Sequence, residues 1–372
     1  MNNMITKNIT ALLLILLAGG TWAGAQNQQV VTTSVPFLRV SPDVRSSGIG
    51  DAGIATTADA YSVYRNLAKI PFAAKPAVVA ASYTPWLQKV SNGVYLAAAT
   101  GYYQLDNESA VGGSIRYFNI GTAQYANENG DLLGTHKPYD MAIDAGYARK
   151  LSDKFGIGVA LRYIRSSIAS GAINGDTYKA GSAFSADVSL YYNGINAQGS
   201  GFLGGLTLTN LGTKISYTQQ ANAGGLLPAN LGIGGGYQIT DDAYTVAFTA
   251  EVNKLLVPVA DDETDKTGYV KESVMQSWTK SFNAAGWKTL QYSAGVEWGW
   301  NQTVFLRGGI LADGSRRMAG DDGMHLTFGA GLHYQAMQLD VSFLSAKGYG
   351  GNALPAANTL RLGLAYSFAA SK

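Results

Sequence analysis

Cysteine is absent from the 372 residues, and only three histidines and nine prolines occur. The missing thiols exclude a disulfide scaffold, a cysteine-ligated zinc site, a thiol nucleophile and a lipidated-cysteine anchor. Charge is scarce as well. Asp, Glu, Lys and Arg make up 14% of the chain, against about 25% in ordinary soluble domains. A formal net charge of +2 supplies no basic stripe, so nucleic acid is not expected as a partner. Glycine is what abounds, with 46 residues, yet it lacks the three-residue period of a collagen. Hydrophobic residues reach 47%, too many for an unfolded, solvated chain. The composition describes a chain too apolar for water and too glycine-rich for helices.

Long apolar runs are missing too, except near the start. Lys7 precedes the run Ile9–Leu17, and Ala23-Gly24-Ala25 follows as a small-x-small site. That is the three-part plan of a secretory signal, and its apolar core is about half the roughly 20 residues a transmembrane helix needs. Residues 1–25 are therefore expected to be a cleaved signal peptide, with the mature chain beginning at Gln26. An exported chain with a mean hydropathy of +0.01 and no second helical span is either periplasmic or an outer-membrane β-barrel.

From residue 77 onward the sequence alternates with period two. Phe155, Ile157, Val159, Leu161 and Tyr163 interleave with Gly156, Gly158, Ala160 and Arg162. Similar sets run through 184–193, 244–252, 292–300 and 337–343. A strand sends successive side chains to opposite faces, so each segment has one apolar and one small or polar face. A soluble sandwich would alternate as well. Three features point instead to a membrane barrel. The segments run about ten residues, as tilted membrane strands do, whereas globular strands run about 5–6. The second face is rich in Gly and Ala and poor in charge. The connections alternate short and long, with short ones at 104–108, 151–154, 194–200, 240–242, 300–302 and 335–336. Strands are expected to begin near 77, 93, 108, 139, 155, 182, 201, 228, 243, 289, 302, 324, 336 and 357. The expected fold is all-β: a transmembrane antiparallel β-barrel of about 14 strands over residues 77–372. Trp86, Tyr102, Tyr103, Tyr191, Tyr192, Trp298 and Trp300 are candidates for interfacial girdles. The last strand, with Arg361, Gly363, Tyr366 and Phe368, resembles the terminal strand read by the outer-membrane barrel-assembly machinery.

Residues 36–76 do not alternate. Gly48-Ile49-Gly50-Asp51-Ala52-Gly53 spells G-x-G-x-x-G, but no βαβ unit surrounds it, so tight turns are favoured over dinucleotide binding. Thr57 or Asp59 is placed to cap a short helix running through Tyr61, Val63, Tyr64 and Leu67. Residues 26–76 are expected to form an N-terminal hatch that plugs the bore.

The stretch SPDVRSSGIGDAGIATTADAYSVYRNLAK (41–69) resembles the hatch of the fatty-acid-transporter (FadL) superfamily, and more closely its PorV family of the type IX secretion system. Further similar stretches are SYTPWLQKV (82–90), SIRYFNIGT (114–122), YARKLSDKF (147–155), ALRYIRS (160–166), GLTLTNLGTKISY (205–217), LPANLGIG (227–234) and EVNKLLVP (251–258). The matching hatch positions are Pro42, Asp43, Arg45, Gly48, Gly50, Asp51, Gly53 and Asn66. In the usual aromatic-Asn-Pro-Ala run this chain has Leu67 in place of Pro, which leaves the turn after Asn66 open. The resemblance implies a fourteen-stranded barrel with a hatch, in the outer membrane of a Gram-negative bacterium and in contact with its lipid. It implies a carrier that binds the C-terminal signal domain of cargo leaving the type IX translocon barrel. The cargo then passes to a surface sortase and attachment complex. A FadL-like transporter of hydrophobic small molecules is the alternative, and a general porin a distant third.

Little points to chemistry. His325 and His333 share one face of a strand, about 27 Å apart at strand rise, so one metal cannot bridge them. No catalytic residue, cofactor or metal is expected. Arg116, Asp144, Arg162, Asp187, Glu251, Glu297, Arg307, Asp340 and Arg361 fall on the inward face, and their mixed signs suggest ion pairs. The longest loop, 255–288, carries Val274, Trp278 and Phe282 at helical spacing beside Met275. With Trp86, these three are the candidate partner-contact residues; burial over the barrel mouth is the competing use for the stripe. Asp261, Asp262, Glu263 and Asp265 lack the regular spacing of a calcium loop.

Overall fold

The computed structural model describes residues 33–86, 93–126, 132–173, 176–218, 224–259, 272–287, 289–314, 321–348 and 358–368. The signal-peptide region, the acidic run at 261–265 and residues 369–372 lie outside them. Fourteen antiparallel strands close into one barrel. They are β1 (Ala77–Pro85), β2 (Tyr95–Gln104), β3 (Ser109–Asn119), β4 (Tyr139–Lys150), β5 (Phe155–Ser167), β6 (Gly181–Asn193) and β7 (Gly201–Gly212). The second half comprises β8 (Asn230–Asp241), β9 (Tyr244–Leu255), β10 (Gln291–Trp300), β11 (Val304–Asp313), β12 (Asp321–Tyr334), β13 (Met337–Gly348) and β14 (Thr359–Phe368). Every start falls within three residues of the expected position. Closure is made by β14 on β1, with Ala77 opposite Phe368 and Tyr83 opposite Leu362. The ring has no edge strand, as hydrocarbon solvent demands of every backbone group.

Burial is inverted relative to a soluble protein. Leu161 is 67% exposed while its neighbour Arg162 is 5% exposed. Leu339, Leu362 and Phe328 face outward, whereas Ser114, Thr327, Asp340 and Ser342 are buried inside. One irregularity breaks the ladder between β6 and β7, where the register shifts between Ala186 and Val188 and Asn210 adopts φ 57. Two small hairpins, Ala123–Ala126 with Leu132–His136 and Gly171–Ile173 with Asp176–Tyr178, rise at the long-loop end. Their irregular composition gave no strand signal.

The same alternation corrects the expected girdles. Adjacent rings cannot both face lipid. Tyr103 points outward, and Tyr102 is buried with its hydroxyl on the Lys75 carbonyl. Tyr191 is likewise buried and donates to the Thr56 carbonyl, while Tyr192 packs on Phe155 outside. Trp86 lies against Phe118, which faces inward.

The N-terminal segment runs down the inside of this ring. It starts at the long-loop end, where Ser34 donates to the Leu226 carbonyl. There Val35, Phe37, Leu38 and Val40 pack with Leu96, Ile164, Ile215 and Leu227. Short helical turns at Pro36–Arg39, Val44–Ser47, Ser62–Arg65 and Leu67–Phe72 then lead to β1 at the short-turn end. A lower apolar cluster joins Val44, Tyr61, Val63, Leu67 and Ile70 to wall residues such as Val78, Ala110 and Ala148.

Candidate functional site

Asp43 opens the Val44–Ser47 turn by accepting from the Ser46 amide at 3.0 Å. That turn aims Arg45 across the bore. Its guanidinium donates twice to Glu297 (2.9 and 2.6 Å), to Asp59 (2.9 Å) and to both oxygens of Thr57. Glu297 also accepts from Arg307 at 2.6 Å, and Arg307 donates to Asp340 at 2.6 Å. A single chain of buried charge, Asp59–Arg45–Glu297–Arg307–Asp340, thus ties the N-terminal segment to β10, β11 and β13.

The glycine motif makes the next set of ties. Gly50 has φ +77 and donates to Thr327 Oγ1 at 2.8 Å, and the same hydroxyl donates to the Gly48 carbonyl. A Cβ at Gly50 would run into the backbone of Ile310 and Ala294. The Gly53 and Ile54 amides both donate to Glu251 at 2.9 Å. The glycines serve as turns and close approaches to the wall, and among the described residues no βαβ unit surrounds them. Asp51 pairs with Arg65, and Pro42 lines a small chamber beside them.

Leu67, where the family pattern carries Pro, does not disturb the turn. Asn66 is extended, caps the Leu67–Phe72 turn through Ala68, and donates to the carbonyls of Ile54 and Leu190 at 3.0 Å each. Asp59 precedes the Ser62–Arg65 turn and accepts from the Tyr61 amide and the Ser62 hydroxyl. Lys69 is buried beside it in the bore. It donates to the Gly53 carbonyl and the Thr56 hydroxyl.

A second charge network lies within the wall. Arg116 and Arg162 share Asp144, and Arg162 also binds Asp187 and Asn210. Asp187 accepts from the Asn210 amide at 2.7 Å, which holds the bulge of β7 in place. The polar chamber lined by Arg39, Arg65, Glu251, Asn253 and Thr207 measures about 100 Å³, below the roughly 300–1,000 Å³ of small-ligand sites. Both His325 and His333 face inward on β12, and His333 packs on Phe305. Among the described residues no group of three or more His, Asp or Glu is placed to hold a metal.

At the long-loop end a helix, Val274–Lys280, starts with a capping box between Ser273 and Gln276. Val274 packs on Leu226, Leu255, Val257 and Val259. Trp278 is half-buried, and Phe282 is exposed and meets Trp287 edge-on at 5.6 Å. Met275 is 68% exposed. The four candidate partner-contact residues therefore separate. Trp86 and Val274 have inner neighbours, whereas Trp278 and Phe282 lie on the outer flank. Trp287 and Lys254, which also belong to this surface, carried no periodic signal; Lys254 reaches it only through strand register. In β14, Arg361 and Gly363 face inward, Gly363 against Tyr61, and Tyr366 and Phe368 stack edge-on outside at 5.0 Å.

A family model described as "Type IX secretion system protein PorV" matches residues 23–262, more than half of the chain. No curated protein matches. Among solved structures, the toluene transporter TodX of Pseudomonas putida is similar at TM-score 0.50 and 11% identity, over 87% of this chain and 96% of that one. The toluene transporter TbuX of Ralstonia pickettii gives 0.51 and 11%, over 87% and 97%. The monoaromatic hydrocarbon channel CymD gives 0.52 and 13%, over 87% and 97%. At these identities the likeness is one of fold.

Proposed function

This chain belongs to the PorV family of type IX secretion system proteins, and from that membership we propose that it is a non-enzymatic outer-membrane cargo carrier. It binds the C-terminal signal domain of cargo leaving the translocon barrel and delivers it to the cell-surface sortase and attachment complex. The protein resides in the outer membrane. Its long loops face the exterior and its short turns the periplasm, following the general plan of such barrels.

The observation that carries the reading is the charge chain from Asp59 to Asp340. It fastens the N-terminal segment across the bore as a hatch, and an apolar solute would have to pass buried ion pairs. That favours a closed carrier over a FadL-like transporter of hydrophobic small molecules. Partner contact then falls to the outside, where Met275, Phe282 and Trp287 are exposed on one loop. Exposed aromatic clusters of this kind mark binding surfaces. Trp278 lies at the edge of this surface.

Deleting the protein is expected to leave cargo inside the cell envelope with its C-terminal signal uncleaved. Cargo that is still surface-attached and signal-free in the deletion strain overturns the assignment. Complementation with a Met275→Ala, Phe282→Ala, Trp287→Ala variant is expected to restore the barrel but reduce co-purification of translocon, cargo or sortase in mild detergent.

A further inference from the structure

The outward rim at the long-loop end has an aromatic belt on only part of its circumference. Six successive strands, β1 to β6, each present one outward ring: Tyr83, Tyr95, Tyr117, Tyr139, Tyr163 and Phe184. Neighbouring centroids lie 5.6, 6.3 and 5.8 Å apart from Tyr83 to Tyr139, and 5.2 Å apart between Tyr163 and Phe184. Rings of this kind sit at the level of lipid headgroups. On β7, β8 and β9 the belt is interrupted. The outward positions there are Leu208, Leu231 and Lys254, aligned in register across the three strands.

The loop helix lies against this gap. Trp278, Thr279 and Phe282 face Leu208, Leu231 and Leu256 across an open apolar groove of about 370 Å³, within the range of small-ligand sites. The groove floor continues into the lipid-facing wall at Ile233, which is 55% exposed. Lys254 is not part of the lining but lies beside it, paired in register with Leu231 and 3% exposed. One ammonium hydrogen goes to the Leu255 carbonyl at 2.6 Å, and the nitrogen is 5.6 Å from the Phe282 ring centroid. An ammonium has three donors, and among the described residues no carboxylate is bonded to this one. Burying a charge is costly unless it is paired.

We propose that the groove holds an acyl chain of an anionic outer-leaflet lipid, with the lipid phosphate against Lys254. Continuity with the lipid-facing wall supplies the chain, and the buried ammonium selects the headgroup. A free phosphate would leave the apolar groove empty, and a zwitterionic lipid would leave Lys254 without a net counter-charge. The bound lipid seats the helix that carries Met275, with Phe282 just past its end. The groove shares Phe282 with the proposed partner surface, but its lipid does not depend on the carrier reading.

The test uses the full mature protein in nanodiscs containing brominated-chain phosphatidylglycerol or brominated-chain phosphatidylcholine at equal mole fraction. The Trp278 emission is isolated by difference against Trp278→Phe. Phosphatidylglycerol is expected to quench it about fivefold more effectively, the worth of one lysine beside an anionic lipid. Lys254→Gln removes the preference, Lys254→Arg keeps it, and Leu231→Asn weakens quenching by both lipids. Heat-modifiable gel migration verifies that each variant has formed its barrel. Equal quenching by the two lipids, or a preference that survives Lys254→Gln, overturns the headgroup assignment. Absence of Trp278 quenching by either lipid, as when protein fills the groove, overturns the whole proposal.

Discussion

Glu297 accepts from two guanidiniums, one on the wall and one on the N-terminal segment, so Glu297→Gln leaves two buried cations with one carboxylate fewer. Breaking a buried pair from one side costs about 3–5 kcal/mol. The variant is expected to unfold at a lower temperature, read from heat-modifiable migration, and an unchanged midpoint would remove Glu297 from the anchoring role. Two adjacent glycines offer a sharper contrast. A Cβ on Gly309 meets the backbone of Ile49, Gly50 and Ala294, whereas one on Gly308 meets nothing within 4 Å. Gly309→Val is expected to destabilise by about 1–3 kcal/mol through overpacking, and Gly308→Ala to stay within about 0.5 kcal/mol. Equal effects would mean that the small inward residues do not serve packing against the N-terminal segment. The inward glycines and the mixed charges were legible in the sequence because strand parity assigns a face to each residue. The pairing of Arg45 with Glu297 was not legible, since it joins positions 252 residues apart that only barrel closure brings together.

At the scale of elements, all fourteen strands were readable because the apolar face must persist for the full width of a bilayer. The small hairpins at 123–136 and 171–178 were not, because outside the bilayer no solvent imposes such a pattern. The loop helix was half-readable. Its period was visible, but which flank met the wall depended on Leu208 and Leu231, residues of strands far away in sequence. The terminal strand bears a further expectation. Tyr366 and Phe368 stack on the outer face of β14, and β14 closes the ring on β1. Their side chains face away from the bore, so Tyr366→Ala with Phe368→Ala should leave packing against the N-terminal segment intact and act on assembly. Fractionation is expected to show less barrel in the outer membrane and more unfolded chain in the periplasm. Wild-type assembly in the double variant would mean that the terminal aromatics are interfacial anchors only.

For the whole molecule, the missing cysteines become an experimental asset, because any single introduced thiol reports one site against a silent background. The N-terminal segment starts at the long-loop end and leads into β1 at the short-turn end, so it runs between the two ends of the barrel. Pro36 and Met275 are exposed at the first end, and Lys75 and Glu108 at the second. The proposed carrier role requires the long loops to lie outside. Pro36→Cys and Met275→Cys are therefore expected to react in intact cells with a polymer-linked maleimide too large to cross the outer membrane. Lys75→Cys and Glu108→Cys should react only after that membrane is permeabilised. Labelling at Met275 without labelling at Pro36 would keep the barrel orientation but withdraw the path assigned to the N-terminal segment. Labelling of Lys75 and Glu108 in intact cells would invert the barrel. The exposed aromatics would then face the periplasm, where they could not hand cargo to a surface complex.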